Sequence, residues 1–251
     1  MQILSFKVYS LADYSSLFFE FGQYTKWKPQ WRVKQLTDIY SPESNFIFEA
    51  LQKKYPDAHC ELGFHTPFEL LIATILSAQC TDERVNHVTA SLFAETNTPE
   101  GILALGQIEL ENKIRSLGLF HNKAKNILAA CRVLVENFAG QVPEDIDSLR
   151  QLPGVGRKTA NVVASNAFGI PALAVDTHVF RVAHRLGIAD GKTPEKVEEE
   201  LVRVFPKERW TLVHHLLIFH GRRTCIARKP NCEECPITGV CMMYQGQKTL
   251  N

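Results

Sequence analysis

The stretch Leu152-Pro153-Gly154-Val155-Gly156-Arg157-Lys158-Thr159-Ala160 lies between two segments of helical character and decides how the chain is read. Two glycines one residue apart allow a very tight turn and remove the Cβ atoms that would keep another molecule off the backbone. The N–H groups of Gly154, Gly156 and the start of the next helix then point one way, which suits a phosphate oxygen or a cation-bridged phosphate. A Gly-x-Gly pair alone equally describes an ordinary helix-to-helix turn. The complete run Pro-Gly-Val-Gly-Arg-Lys-Thr-Ala is much more specific.

Outward from this turn the punctuation is helical. Thr66-Pro67, Thr98-Pro99 and Thr193-Pro194 each precede an apolar-periodic stretch, and Ser41-Pro42 starts another. Threonine or serine at the N-cap accepts a bond from a free backbone N–H, and proline at the first helical position loses no hydrogen bond. Glu69 adds a capping-box partner to Thr66. Helices are expected over 42–55, 67–79, 83–93, 99–105, 123–138, 158–168, 177–185, 194–204 and 208–221. Ile127, Cys131, Leu134 and Phe138 supply the one-sided apolar stripe of a packed helix. No hairpin dipeptide is flanked by alternating runs, so strands are few or absent. The fold class is all-α, without a solenoid period.

The composition narrows the rest. With 251 residues, 45% hydrophobic and 22% charged, the chain has the make-up of a soluble globular protein of one large or two small domains. It is nowhere apolar for the roughly eighteen residues that a membrane span needs. Twenty-eight basic and 27 acidic residues give a net charge of +1, so any polyanion must meet a local basic face. Seven cysteines are an odd number for a secreted disulfide framework, and no signal peptide opens the chain, which points to a reducing, cytoplasmic setting. Residues 1–41 stand apart as an N-terminal extension holding ten aromatics between Phe6 and Tyr40 without sustained helical period. It reads as a poorly ordered extension or an upstream translation start, with packing against the body or a partner as the other reading. The acidic Asp13 and Glu20 and the missing Arg- and Ser-rich pattern argue against a transit peptide.

Four cysteines fall close together: Cys225, Cys232, Cys235 and Cys241, spaced C-x6-C-x2-C-x5-C. Grouped thiolates ligate a tetrahedral metal or a cluster, and a disulfide role is disfavoured in a reducing compartment. Zinc ribbons carry two C-x2-C knuckles where this chain has one. Arg222, Arg223, Arg228 and Lys229 lie in or beside the loop and read as phosphate contacts or as solvated side chains. Cys60, Cys80 and Cys131 have no ligand spacing and read as core or incidental residues. His59, Cys60 and His65 lack a fourth ligand.

Lys158 opens the helix after the turn, where the positive end of the dipole disfavours an ammonium and favours a nucleophilic amine. A phosphate-binding or solvated lysine is the plainer alternative. Eighteen residues on, Val175-Asp176-Thr177-His178 places a carboxylate at the start of another helix, where it also reads as an N-cap.

The turn matches the hairpin of the helix-hairpin-helix DNA-binding motif. From about Ser44 to Tyr244, the sequence resembles the endonuclease III family of base-excision DNA glycosylases. The resemblance implies that Lys158 is the nucleophile and Asp176 its partner, and that the four cysteines hold a [4Fe–4S] cluster, with structural zinc as the alternative. It implies that Gln79, in Leu76-Ser77-Ala78-Gln79-Cys80-Thr81-Asp82, fills the position of an everted base, and that Leu119, in Ser116-Leu117-Gly118-Leu119-Phe120-His121, is an apolar wedge. Their plain alternatives are a helix C-cap and a core leucine. Asp82 contacts the everted nucleotide or caps a helix. Gly154, Gly156 and Arg157 are expected at the DNA backbone. Two helical lobes follow: a six-helix bundle over 60–169 with helix-hairpin-helix at 148–168, and a cluster lobe built from 42–59 and 170–251. DNA is expected in the groove between them.

The implied function is a bifunctional DNA glycosylase and abasic-site lyase in base-excision repair. Its partner is damaged double-stranded DNA, with oxidised or ring-saturated pyrimidines as substrates. The protein is expected to act as a monomer, away from membranes and at the nucleoid if bacterial. Two alternatives are an adenine-type monofunctional glycosylase, which resembles this chain in hairpin and cluster but lacks the lysine, and a non-catalytic DNA-binding or redox-sensing iron–sulfur protein.

Overall fold

A computed structural model describes residues 41–248. The expectations for residues 1–40 lie outside the described residues. Among the described residues there are helices and no strand. In chain order the helices are α1 (Pro42–Lys54), α2 (Pro67–Leu76), α3 (Asp82–Glu95), α4 (Pro99–Ile114), α5 (Phe120–Phe138), α6 (Ile146–Leu149), α7 (Arg157–Ala167), α8 (Thr177–Leu186), α9 (Pro194–Val204), α10 (Trp210–Arg223) and α11 (Met242–Lys248). No helix among them is long and apolar enough to cross a membrane.

Local chemistry sets the helix starts. Ser41, Thr66, Thr98 and Thr193 each accept a backbone N–H three residues on, with proline in the first turn. At α2 the capping box takes a different form. Glu69 is buried, and its carboxylate reaches past the cap to accept from the His65 N–H at 2.6 Å and from the Asn97 amide at 3.0 Å. Thr81, not Asp82, caps α3, its hydroxyl accepting from the Arg84 N–H. Helix α4 runs beyond the expected 99–105: Gly106, at φ +72°, kinks it, and a more polar second segment continues to Ile114, held by buried Leu110 and Ile114. Helix α2 stops at Leu76, short of the expected 67–79, and a 3₁₀ turn at Lys207–Arg209 precedes α10.

Two buried clusters organise these helices. One joins α2 through α7, from Leu62 to Ala164, with Leu70, Leu71, Ile127, Leu134 and Val163 fully buried. The other draws Ile47, Phe48 and Leu51 from α1, and Tyr55 at its C-cap, together with residues from Leu173 to Cys241. Each buried leucine or valine contributes about 1.5–3 kcal/mol relative to exposure. The second core is therefore discontinuous in sequence, and its loop after α10 is tied to α1: the Tyr55 hydroxyl meets Thr224 Oγ1 at 2.7 Å and His220 Nδ1 at 3.0 Å, and Lys54 Nζ donates to the Glu234 carbonyl at 2.7 Å.

Candidate active site and iron–sulfur loop

Where the two cores meet, Lys158 and Asp176 line one pocket of about 70 Å³. Lys158 is the second residue of α7, whose N-cap Gly156 offers no side chain. The first N–H groups of that helix thus keep no capping partner, the arrangement that attracts an anion. Asp176 is the N-cap of α8: its Oδ1 accepts from the His178 and Val179 N–H groups, both at 2.8 Å. The plain role foreseen for this carboxylate is therefore filled, and Oδ2 stays outside the cap, in a side chain that lines the pocket.

The remaining walls come from distant parts of the chain: His59–Leu62, Thr74, Ser77, Asp82, Val162, His214, His215, Ile218 and Arg222. His214 is buried, and its Nδ1 donates to the Ala174 carbonyl at 2.8 Å, which fixes the tautomer and leaves Nε2 as an acceptor. Burial holds its pKa below the usual histidine value, opposed by Asp176 and assisted by Lys158. His215 is pushed down to about 3, chiefly by burial, and its Nε2 meets Asn166 Oδ1 of α7 at 2.8 Å. This histidine pair was not singled out from the sequence, although adjacent histidines in an apolar helix were the available signal.

Arg222 bridges the lobes over this pocket, donating to Asp82 Oδ2 at 2.8 Å and to the Glu61 carboxylate. Arg223 pairs with Asp57 at 2.9 Å and lies 4.2 Å above the Phe219 ring. Arg157 makes a two-pronged pair with Glu198, at 2.9 and 3.0 Å. These three guanidinium groups thus already have carboxylate partners. Arg228 and Lys229 are exposed and make no ion pair among the described residues.

The turn itself uses its glycines differently. Gly154 sits at φ +80°, and a Cβ there would come within 2.8 Å of Asn126 Cβ. Gly156 is extended, and a Cβ there would meet open space; what its bareness permits is approach from outside. Gln79 and Leu119 both adopt left-handed backbone, at φ 55° and 59°. Both are exposed, Leu119 at 54%, so neither is a core residue.

The four cysteines of the loop are half-buried, except for the buried Cys241. Arg185 of α8 donates to Cys225 Sγ at 3.4 Å and to the Ile226 and Ala227 carbonyls at 2.8 and 2.6 Å, while Arg181 donates to the Gly221 carbonyl at 2.9 Å. The sequence reading missed these organisers; two arginines four apart on one helix face were their signal. Burial, then the charges of Cys241, Cys225 and Cys232, push Cys235 up to about 11. Four thiols within electrostatic reach of one another suit a bound cationic centre. Four soft thiol donors in one short loop are a donor set that fits an iron–sulfur cluster.

Residues 72–207 match the HhH-GPD superfamily of base excision DNA repair proteins, and residues 225–241 match the iron–sulfur binding domain of endonuclease III. Endonuclease III of Rickettsia conorii is 54% identical over 200 residues, covering 80% of this chain and 95% of that protein. The chain belongs to the endonuclease III family. Endonuclease III of Bacillus subtilis is 51% identical over 204 residues, covering 81% and 92% of the two chains. A trapped endonuclease III–DNA covalent intermediate is a solved structure that superposes with a TM-score of 0.78 at 49% identity, covering 81% of this chain and 96% of that one. As in the family, the cofactor is a [4Fe–4S] cluster, and Cys225, Cys232, Cys235 and Cys241 all lie within the matched segment.

Proposed function

We propose that Lys158 and Asp176 carry the chemistry of this base-excision DNA glycosylase and abasic-site lyase. The observation that carries the proposal is their shared pocket between the lobes, with Lys158 at an uncapped helix start and Asp176 fixed by two backbone bonds. A relative 49% identical has been trapped in covalent union with DNA, which supports a nucleophilic route. The everted nucleotide brings C1′ to Lys158 Nζ. As the base departs, Asp176 offsets the positive charge that develops on the sugar, and the amine forms a Schiff base at C1′. Loss of a C2′ proton then expels the 3′ phosphate and nicks the strand.

Gly154, Gly156, Arg228 and Lys229 are assigned to the DNA backbone, and Gln79 and Leu119 to the gap left by the base. Asp82 is held against Arg222, at the pocket wall, where a nucleotide would meet it. Arg157, Arg222 and Arg223 reach phosphate by exchanging their carboxylate partners for it. Oxidised or ring-saturated pyrimidines in duplex DNA are the proposed substrates, and the enzyme is proposed to act as a monomer in the cytoplasm, at the nucleoid in a bacterial cell. The cluster holds the 225–241 loop in place.

Borohydride trapping on duplex DNA with one abasic site tests the nucleophile. Wild type forms a covalent adduct; Lys158→Ala forms none while still retarding the DNA in a gel. Retained trapping by Lys158→Ala would overturn the assignment.

A further inference from the structure

Lys123, in the first turn of α5, is only 4% exposed, and no carboxylate pairs with it. Its Nζ lies 3.2 Å from the Sγ of Cys80, a half-buried residue. A buried lysine amine whose side-chain partner is a thiol is an unusual arrangement, because buried lysines are ordinarily paired with carboxylates. The placement is equally specific. Cys80 follows Gln79 directly, and Lys123 N–H donates to the Leu119 carbonyl at 3.0 Å. The pair therefore joins the roots of the two left-handed corners at Gln79 and Leu119.

We propose that Cys80 and Lys123 form a redox-sensitive modification site, in which a peroxide converts the contact into a covalent S–N bridge between the two corners. In its thiolate form, Cys80 attacks a peroxide oxygen: an S–O bond forms, the O–O bond breaks, sulfur loses two electrons and hydroxide leaves. The hydroxide takes a proton from the Lys123 ammonium and becomes water. The freed amine then attacks sulfur, forming the S–N bond and breaking S–O; the departing hydroxide takes the second amine proton and leaves as a second water. The product is a sulfenamide, two hydrogens lighter than the reduced pair, and a thiol reductant reopens it by attack on sulfur.

The bridge stands on geometry alone; its effect on repair rests on the insertion roles proposed for Gln79 and Leu119. It fixes the spacing of two loops that must both enter the duplex, so it lowers incision. The test exposes the cluster-loaded enzyme to hydrogen peroxide, then maps its peptides by mass spectrometry and measures single-turnover incision. Expected is a linked Cys80–Lys123 peptide pair that dithiothreitol reverses and that Cys80→Ser and Lys123→Arg do not form. Cys80 recovered as sulfinic acid or as a disulfide, with Lys123 free, would overturn the bridge, and because wild type alone decides this, an unstable Lys123→Arg leaves the test intact. Incision by wild type is expected to fall at least tenfold and return with dithiothreitol, while Cys80→Ser keeps its activity through the same treatment. Equal, irreversible losses in both would trace the effect to the cluster and refute the regulatory role.

Discussion

The glycine turn at 152–156 and the cysteine loop at 225–241 both present backbone to solvent beside basic side chains, and they are held by different means. The turn is flanked by buried Leu152 and Val155, closed by a Val155 N–H bond to the Leu152 carbonyl at 3.0 Å, and continuous with a core of leucine, isoleucine and valine. The loop buries little of its own beyond Ile237 and Cys241. Its carbonyls are gripped by Arg181 and Arg185, and its thiols need a cofactor. Apolar packing thus positions one surface without assistance, whereas the other depends on charge and on iron and sulfide.

Removing one of the thiols expected to hold the cluster should separate the two most. In Cys241→Ser the visible absorption of the cluster is expected to vanish and residues 225–241 to become protease-sensitive. DNA affinity should drop at least tenfold, about 1.4 kcal/mol, with far-ultraviolet helicity nearly intact. A loop that stayed protected would show that Arg181 and Arg185 suffice. Gly154→Ala attacks the turn instead. The strained φ and the contact with Asn126 should cost about 1–3 kcal/mol in urea unfolding and weaken DNA binding without changing the cluster spectrum. Unchanged stability would mean that the turn relaxes and is less rigid than its packing implies. The smallest effect is expected from Glu198→Gln. Breaking a partly exposed pair costs at most about 1 kcal/mol, yet it frees Arg157 for phosphate, so DNA affinity should rise a few-fold at low salt. A fall in affinity would show that Arg157 contributes by staying where Glu198 holds it.

What was legible in the sequence was what depends on neighbours in the chain. Thr66, Thr98 and Thr193 cap helices through bonds to residues three positions away, so their Thr-Pro signatures sufficed. The second half of α4 escaped because Gln107, Glu109, Glu111 and Lys113 dilute its apolar face to Leu110 and Ile114. The left-handed corners at Gln79 and Leu119 escaped because neither is glycine, the residue that ordinarily announces such backbone. At the site, Lys158 and Asp176 stood out through motif resemblance, whereas Arg222 with Glu61 and Asp82, or Lys123 with Cys80, unite residues far apart in sequence. No local pattern encodes such pairs. Nor does any reveal that a basic residue already has an acidic partner.

The divided second core also sets an order of birth. Helix α1 is made early in synthesis, yet Phe219, His220 and Thr224, against which Tyr55 rests, follow more than 150 residues later. The α2–α7 bundle is contiguous and can consolidate while translation continues. Helix α1 must wait beside it, its apolar face uncovered, until α10 arrives and the last cysteine leaves the ribosome. Cofactor delivery is thereby confined to the final moments of maturation, and a chain cut short before α10 would leave α1 without a home.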